Sequence, residues 1–547
     1  MKTAILSNIN LFKLIGRMKK RVEVYEPEGY GNWIQPMLGD KKIADYVICI
    51  IDGNQLCSGV ERFEDRKDAF ERINECFFYI QSAVEKHPQS KYLISDIDIV
   101  PGAIYPLKES TYLRNLEQAW GEGLDKLVAE FSNAFVFPLK DIITSFGRKE
   151  IYSDKMWYLA SSRFSVHGEK EIEKKIFQMI SCMEGKRKKC LLLDLDNTLW
   201  GGIIGEDGIE GIVLSENKEG ARYKDFQKKI KDLKGNGVIL GIVSKNNEKE
   251  ARDMIENHPD MVLGWDDFVV KKINWNPKSQ NIREIQKEIN IGLDSIVFLD
   301  DSPVEREEVR FSLPEVAVPD FPEDSSGLSA FIEEIYWQYF LTSQITFEDK
   351  IKTELYNQRR ERENAREQHP SMESYLKSLN TKVVIQLVGK SDIGRAIQLI
   401  QKTNQFNLTV KRYSEGEVLD MLAETKRFDF WIAEISDRFG SNGKSALLII
   451  EKKEDRILLD SFIMSCRVMG RELEKDILYV LERKYLQKGY KTMEAEYRRT
   501  AKNSPVADLY DKMGYQPVKI EGKDKYYAWT LKERESFCYS EIQWKDI

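Results

Sequence analysis

No apolar run in this 547-residue sequence approaches the roughly 20 residues that a membrane-spanning helix requires. The start, Met1-Lys2-Thr3 onward, offers only a short apolar stretch broken by Asn8, Asn10 and Lys13, which is not the profile of a secretory leader. Cysteine is scarce. The seven, at positions 49, 57, 76, 182, 190, 466 and 538, are odd in number and lack paired or metal-ligand spacing. That excludes a disulfide framework and a zinc site, and a cytoplasmic location with reduced thiols is expected. Only four histidines occur, with no metal-spaced pair among them. Positive charge is in deficit: the net charge of −7 argues against a general nucleic-acid binder. Neither nucleic acid nor a membrane is therefore expected as a partner.

What is present is a well-charged globular chain, 42% hydrophobic and 32% charged, long enough for three or four domains. Its chemistry is most readable at Cys190-Leu191-Leu192-Leu193-Asp194-Leu195-Asp196-Asn197-Thr198. The apolar run predicts a strand buried on both faces, as in parallel sheets. Ligands in open α/β sheets bind beyond the carboxyl ends of the strands, where Asp194 and Asp196 emerge. Two carboxylates there suit Mg²⁺, which takes oxygen ligands. Alone, the pattern also fits a strand ending in polar turn residues.

Three later stretches favour the site. Val238 to Val243 predicts another buried strand ending at Ser244-Lys245-Asn246, and Asn276-Pro277-Lys278 puts a lysine before a helical pattern. Ser295 to Leu299 predicts a third strand, ending at Asp300-Asp301-Ser302-Pro303. A metal, a hydroxyl donor and a fixed cation are the inventory for a phosphoryl group.

This order and spacing resembles the haloacid dehalogenase (HAD) superfamily of aspartyl-phosphate enzymes. The resemblance implies that Asp194 is the nucleophile and Asp196 the acid/base. It places Thr198, Ser244 and Lys278 on the phosphoryl oxygens, and Asp194, Asp196, Asp300 and Asp301 around Mg²⁺. Lys271 or Lys272 is the alternative lysine. Too few residues separate Thr198 from the helix near Gly220 for a cap domain, and Gly201 to Gly205 reads as a hairpin flap. The expected fold is α/β, with a central HAD-like Rossmannoid parallel sheet, without a large cap, over residues 186–340.

Residues 1–185 alternate strands (Thr3–Leu6, Arg21–Tyr25, Tyr46–Ile51, Tyr92–Val100, Ala134–Phe137) with helices, which implies a doubly wound, flavodoxin-like α/β domain. This domain resembles the SGNH hydrolases, with Ser7 as nucleophile and His167 as the late histidine. Phe164 stands where that family places an aspartate, so a degenerate, inert or substrate-holding scaffold is expected rather than an esterase. The run Lys186-Arg187-Lys188-Lys189 forms a basic hinge that is either solvated or touches an acidic partner.

Residues 341–380 read as a charged helical linker, polar because it bridges domains. Residues 381–547 alternate strands and helices, with Thr403-Asn404-Gln405-Phe406-Asn407 as a turn. This region resembles the GNAT acyltransferases, whose helix N-terminus cradles coenzyme A phosphates. The matching stretch is Arg467-Val468-Met469-Gly470-Arg471-Glu472. Glu472 stands where that family has a small residue, and its carboxylate opposes a pyrophosphate. The single phosphate of a carrier protein's arm is easier to accommodate.

Taken together the chain resembles the FkbH-like family, on the motifs DLDNTLWGGIIGEDG, SKNNE, NWNPKS, FLDDSPVEREEVR, TNQFNLT, DRFG and SCRVMGRELE. Ser441 departs from the pattern, at a position where an acidic residue is expected. The resemblance implies an enzyme that takes 1,3-bisphosphoglycerate, releases phosphate and loads a glyceryl group onto the phosphopantetheine arm of an acyl carrier protein, for secondary metabolism. A thioester needs a thiolate at the carbonyl carbon. Cys466, beside Arg467 near a helix start, is the candidate, since both features lower a thiol pKa. Its bland reading is a buried small residue at a strand end, and Cys190 reads as structural. A phosphatase of another small phosphoester, with flanking domains used for recognition, is the alternative. A non-catalytic docking subunit is a third reading.

Overall fold

The computed structural model of the protein describes residues 1–27, 31–57, 66–101, 111–345, 368–403, 405–533 and 539–545, with positions 358, 361, 362, 365 and 366. Residues 346–357, 359, 360, 363, 364 and 367 of the expected linker helix at 341–380, together with Asn404 and Cys538, lie outside them. The chain divides into two compact units, Met1–Ser181 and Cys182–Ile547. The first boundary, expected at 185, thus falls a few residues earlier. The segments expected as separate domains at 186–340 and 381–547 group as one unit.

The first unit is built on five parallel strands in the order β2-β1-β3-β4-β5: β1 Lys2–Ser7, β2 Glu23–Tyr25, β3 Tyr46–Ile50, β4 Lys91–Ser95 and β5 Ala134–Phe137. β3 is buried at every residue, as a central parallel strand must be. The helices Arg66–Lys86 and Thr111–Glu130 turn apolar faces onto this sheet, and Trp120, fully buried, donates its indole N–H to Ser95 O.

The second unit carries two sheets. The smaller is four parallel strands in the order β8-β7-β6-β9: β6 Cys190–Leu193, β7 Ile239–Ser244, β8 Phe268–Ile273 and β9 Ile296–Leu299. Alternate β6 residues serve opposite cores. Leu191 and Leu193 pack with Phe226 and Ile230 of the helix Lys218–Gly235, while Cys190 and Leu192 pack with Ile282 and Ile285 of the helix Lys278–Ile289. This double burial explains the unbroken apolar run. It also confirms Cys190 as a core residue. Gly241 in β7 is required by packing, because a Cβ there lies 2.6 Å from Leu192 Cδ2 and 2.7 Å from Val270 Cγ2.

The larger sheet is β16-β17-β15-β14-β13-β12-β10-β18, with β11 added to β14. Its strands are β10 Lys382–Leu387, β11 Phe406–Asn407, β12 Phe428–Asp437, β13 Gly440–Lys452, β14 Arg456–Met464, β15 Thr492–Tyr497, β16 Gln516–Glu521, β17 Asp524–Thr530 and β18 Glu541–Lys545. β14 and β15 pair in parallel through the crossover helix Leu473–Gln487, whose Ile477, Leu478 and Leu481 are wholly buried. Their pairing ends at Leu459 and Ala495. Beyond that point the last two residues of the expected turn at 403–407 prove to be a strand: Phe406 pairs with Met464 and Asn407 with Ile463. Leu408 N–H then donates to Phe462 O, and Arg498 N–H to Leu408 O at 2.8 Å. The diverging strands leave backbone groups that need partners, and this segment supplies them.

Candidate active site

The site forms where β6, β7 and β9 end. Asp194 follows β6, Ser244 closes β7 and is 2% exposed, and Asp300 and Asp301 follow β9. Lys278 opens its helix immediately after Pro277, whose fixed φ starts the helix, and is 2% exposed. The ammonium of Lys278 lies 3.1 Å from Asp194 Oδ1 and also pairs with Asp300. Lys271 and Lys272 do not reach this centre: Lys271 donates to Phe268 O and covers Trp265, while Lys272 pairs with Glu284 and Glu288.

Oxygens of Asp194, Asp300 and Asp301 lie within 4.8 Å of one another. Three carboxylates against one ammonium leave an excess of two negative charges, which matches a divalent cation. The electrostatics agree. Burial, reinforced by the charge of Asp194, pushes the Asp300 carboxyl up to about 7, with Lys278 pulling against it. Burial and Asp194 likewise raise Asp301. Burial pulls the Lys278 ammonium down, but Asp194 and Asp300 outweigh it and hold it above its ordinary value. An all-oxygen trio of this kind fits Mg²⁺, which supplies charge neutralisation at the phosphoryl oxygens.

Asp196 turns its side chain elsewhere. Its carboxylate is not in the trio; it accepts from Trp200 Nε1 at 2.9 Å, Ile204 N–H at 3.1 Å and Asn246 Nδ2 at 2.8 Å. The cause is local: Asn197 takes a left-handed turn (φ 53) and accepts from Gly202 N–H, folding 200–204 back over Asp196. The flap is not a simple hairpin, since Gly201 bridges Val213 and the intervening Ile204–Gly211 is a short helix kinked at Gly208. Thr198, fully buried, accepts from Asp301 N–H at 3.2 Å.

Two side chains escaped the sequence reading. Arg306 donates to both Asp300 O (2.8 Å) and Asp301 O (2.7 Å), fixing the loop that carries them. Asn246 orients Asp196, as described. Both sit in motifs already noticed, six and two residues after Asp300 and Ser244, but contact across the fold is what gives them roles.

Elsewhere the expected residues are dispersed. Ser7 Oγ donates to Ile50 O at 2.6 Å, and His167 packs edge-on against Phe146 at 4.9 Å. The ends of β3 and β4 are occupied by ion pairs instead: Arg163 with Asp52 (2.8 Å) and Arg148 with Asp98 (2.5 Å). The Cys466 side chain lies outside the described part of the structure; its backbone begins a single turn, Cys466–Val468. That turn borders a cleft also lined by Lys189 and Ser295, at the amino-terminal ends of β6 and β9. Glu472 is left-handed (φ 55) and pairs with Lys475 at 2.8 Å rather than capping its helix. Arg471 turns inward, onto Asp437 at 2.7 Å, where Arg362 also binds.

Strand order, crossovers and carboxylates at these strand ends define a HAD-type phosphatase module within a multidomain α/β enzyme. No family model matches the chain, and no curated protein does. Among solved structures it is similar to the N-terminal part of BF1531 from Bacteroides fragilis, which contains a phosphatase domain and is complexed with Mg. The two share 28% identity and a TM-score of 0.58, over 63% of this chain and 95% of that one. The phosphatase-type α/β module expected from the motifs thus has a counterpart among solved structures. Far more distant is the coenzyme A complex of the PaiA N-acetyltransferase from Thermoplasma acidophilum, with 13% identity, a TM-score of 0.23, and coverage of 27% of this chain and 98% of that one. The ribosomal-protein-S18-alanine N-acetyltransferase from Escherichia coli stands at 16% and 0.22, over 29% and 99%.

Proposed function

We propose that the chain is a Mg²⁺-dependent phosphatase and acyl transferase. It removes a phosphate monoester at Asp194 and delivers the glyceryl group of 1,3-bisphosphoglycerate to the thiol of an acyl carrier protein. The observation that carries the reading is the convergence of the Asp194, Asp300 and Asp301 carboxylates, with Lys278 paired to the first two. Asp194 attacks phosphorus, Lys278, Ser244 and Thr198 hold the phosphoryl oxygens, and Asp196 protonates the leaving oxygen and then activates water.

Hydrolysis at the acyl phosphate itself releases a free carboxylate, as 3-phosphoglycerate, and wastes the activation. The carbonyl must instead be attacked by sulfur, with phosphate leaving with the bonding electrons. Cys466 is assigned that role, or else the carrier's own thiol attacks directly. About five residues of β6 separate the end that bears Lys189 from Asp194, roughly 16 Å at strand rise. A three-carbon substrate cannot touch both places in one pose, so the two steps use two sites.

The test is a carrier-loading assay with 1,3-bisphosphoglycerate and Mg²⁺, read by mass spectrometry. Wild type is expected to release two phosphates per glyceryl-carrier formed, and Cys466→Ala to keep monoester hydrolysis while losing loading. Full loading by Cys466→Ala transfers the thiol role to the carrier arm. Phosphate release without any loading leaves the simpler reading, a phosphatase of another small phosphoester.

A further inference from the structure

The basic hinge at 186–189, left open between solvation and partner contact by sequence, lines one wall of a cleft of about 760 Å³. Its other walls are the turn Asn290–Ser295 of the phosphatase-type module and, from the acyltransferase-like module, the end of the helix Ile393–Lys402 and the loops at 465–467 and 501–505. The walls are tied directly: Asn290 and Gln405 exchange amide hydrogen bonds at 3.2 and 3.3 Å, and Lys502 reaches Asp294 at 3.5 Å.

The charge of this cleft is one-sided. The run 186–189 contributes four cations, and Arg395, Lys402, Arg467 and Lys502 four more, against the single carboxylate of Asp294. Concave like-charged walls focus potential and concentrate ligands of opposite sign. Two of the cations retain binding capacity among the described residues. The Nη1 of Arg467 is buried without a hydrogen-bond partner, an expensive state unless something supplies an acceptor. The Lys189 ammonium has no ion pair there. The remaining wall is mostly amide and hydroxyl, and no aromatic side chain lines it. A nucleobase would find nothing to stack on, and an acyl chain little to bury against.

We infer that this cleft is a second anion site that takes a small, non-aromatic organic phosphate bearing two or more negative charges. It lies at the opposite ends of β6 and β9 from Asp194 and does not depend on the reading of that site. Arg467 supplies planar, bidentate donors and Lys189 and Lys402 point charges, while the amides meet the ligand's neutral polar groups.

Inorganic pyrophosphate is the probe, titrated calorimetrically into the full-length protein in EDTA at low and at moderate salt. One site per chain is expected, weakening with salt. Lys189→Gln and Lys402→Gln should each weaken it about tenfold, with hydrolysis of a simple phosphomonoester in Mg²⁺ unchanged. Asp194→Asn should bind as wild type. Binding lost in Asp194→Asn but kept in both lysine variants assigns the anion to the phosphatase site and overturns the inference, as does an absence of saturable binding by wild type. Retained phosphomonoester hydrolysis in the lysine variants also shows that they fold.

Discussion

The Lys278 ammonium stands between two carboxylates that belong to different strands, 3.1 Å from Asp194 Oδ1 and in contact with Asp300. It therefore does two jobs, offsetting their repulsion and offering a donor to a phosphoryl oxygen. Lys278→Met should lower phosphomonoester hydrolysis by at least about 10²-fold, the scale on which lost electrostatic donors act. It should also destabilise the second unit by roughly 3 kcal/mol, because removing one member of a buried ion cluster leaves the rest uncompensated. Steady-state kinetics and chemical denaturation read the two effects separately. Near-wild-type turnover contradicts the role.

Asp437 provides a parallel case in the larger sheet of the second unit. Its carboxylate, fully buried, accepts from Arg362 Nε and Arg471 Nη1, each at 2.7 Å, and from Phe439 N–H at 2.9 Å. This is a structural role for the DRFG and SCRVMGRELE motifs, locking the loop after β14. Asp437→Asn leaves two buried guanidinium groups facing a neutral amide and should cost about 3–5 kcal/mol. Melting of the purified variant measures it, and a loss under about 1 kcal/mol contradicts the lock.

Glu169 gives the first unit a pH dependence. The side chain is 1% exposed with Oε1 unpartnered among the described residues, and burial pushes its carboxyl up to about 7, against the pull of Lys13 and Arg17. A raised carboxyl pKa means the folded state holds the proton more tightly than the unfolded state. Stability is thus fully present below the ordinary value of 4.5 and falls as pH rises through about 7. Glu169→Gln should melt several degrees above wild type at alkaline pH and alongside it in acid. Equal melting at every pH contradicts the assignment.

Ser7 should be chemically silent. Its hydroxyl is committed to Ile50 O, His167 faces Phe146, and Phe164 is buried where the resemblance expects an aspartate. Hydrolysis of p-nitrophenyl acetate by wild type and Ser7→Ala should be indistinguishable. A saturable rate that disappears in Ser7→Ala restores the esterase.

The sequence exposed what local chemistry encodes. Runs such as Cys190 to Leu193 announced buried parallel strands because both faces of β6 are packed, and the carboxylates marked their ends. It could not say which way a side chain turns. Asp196 follows Asp194 by two residues, yet the flap draws it away to Trp200 and Asn246. Nor could it find partners distant in sequence. Phe406 and Asn407 look like turn residues until Met464 and Ile463 lie beside them. The edge strand β18 also passed unnoticed, since its partner is the sequence-distant β10, with Asp476 accepting from the N–H groups of Tyr539 and Ser540 just before it at 3.2 and 3.1 Å.

The central claim is that Asp194, with Mg²⁺, carries phosphoryl chemistry. The direct measurement is phosphate release from a simple phosphomonoester by wild type and Asp194→Asn, with and without Mg²⁺, on proteins matched by circular dichroism. Asn keeps the shape but deletes the nucleophile and one negative charge of the trio. The account predicts release only from wild type in Mg²⁺, with Asp194→Asn reduced to background in either condition. Undiminished release by folded Asp194→Asn, or release by wild type that ignores Mg²⁺, contradicts it.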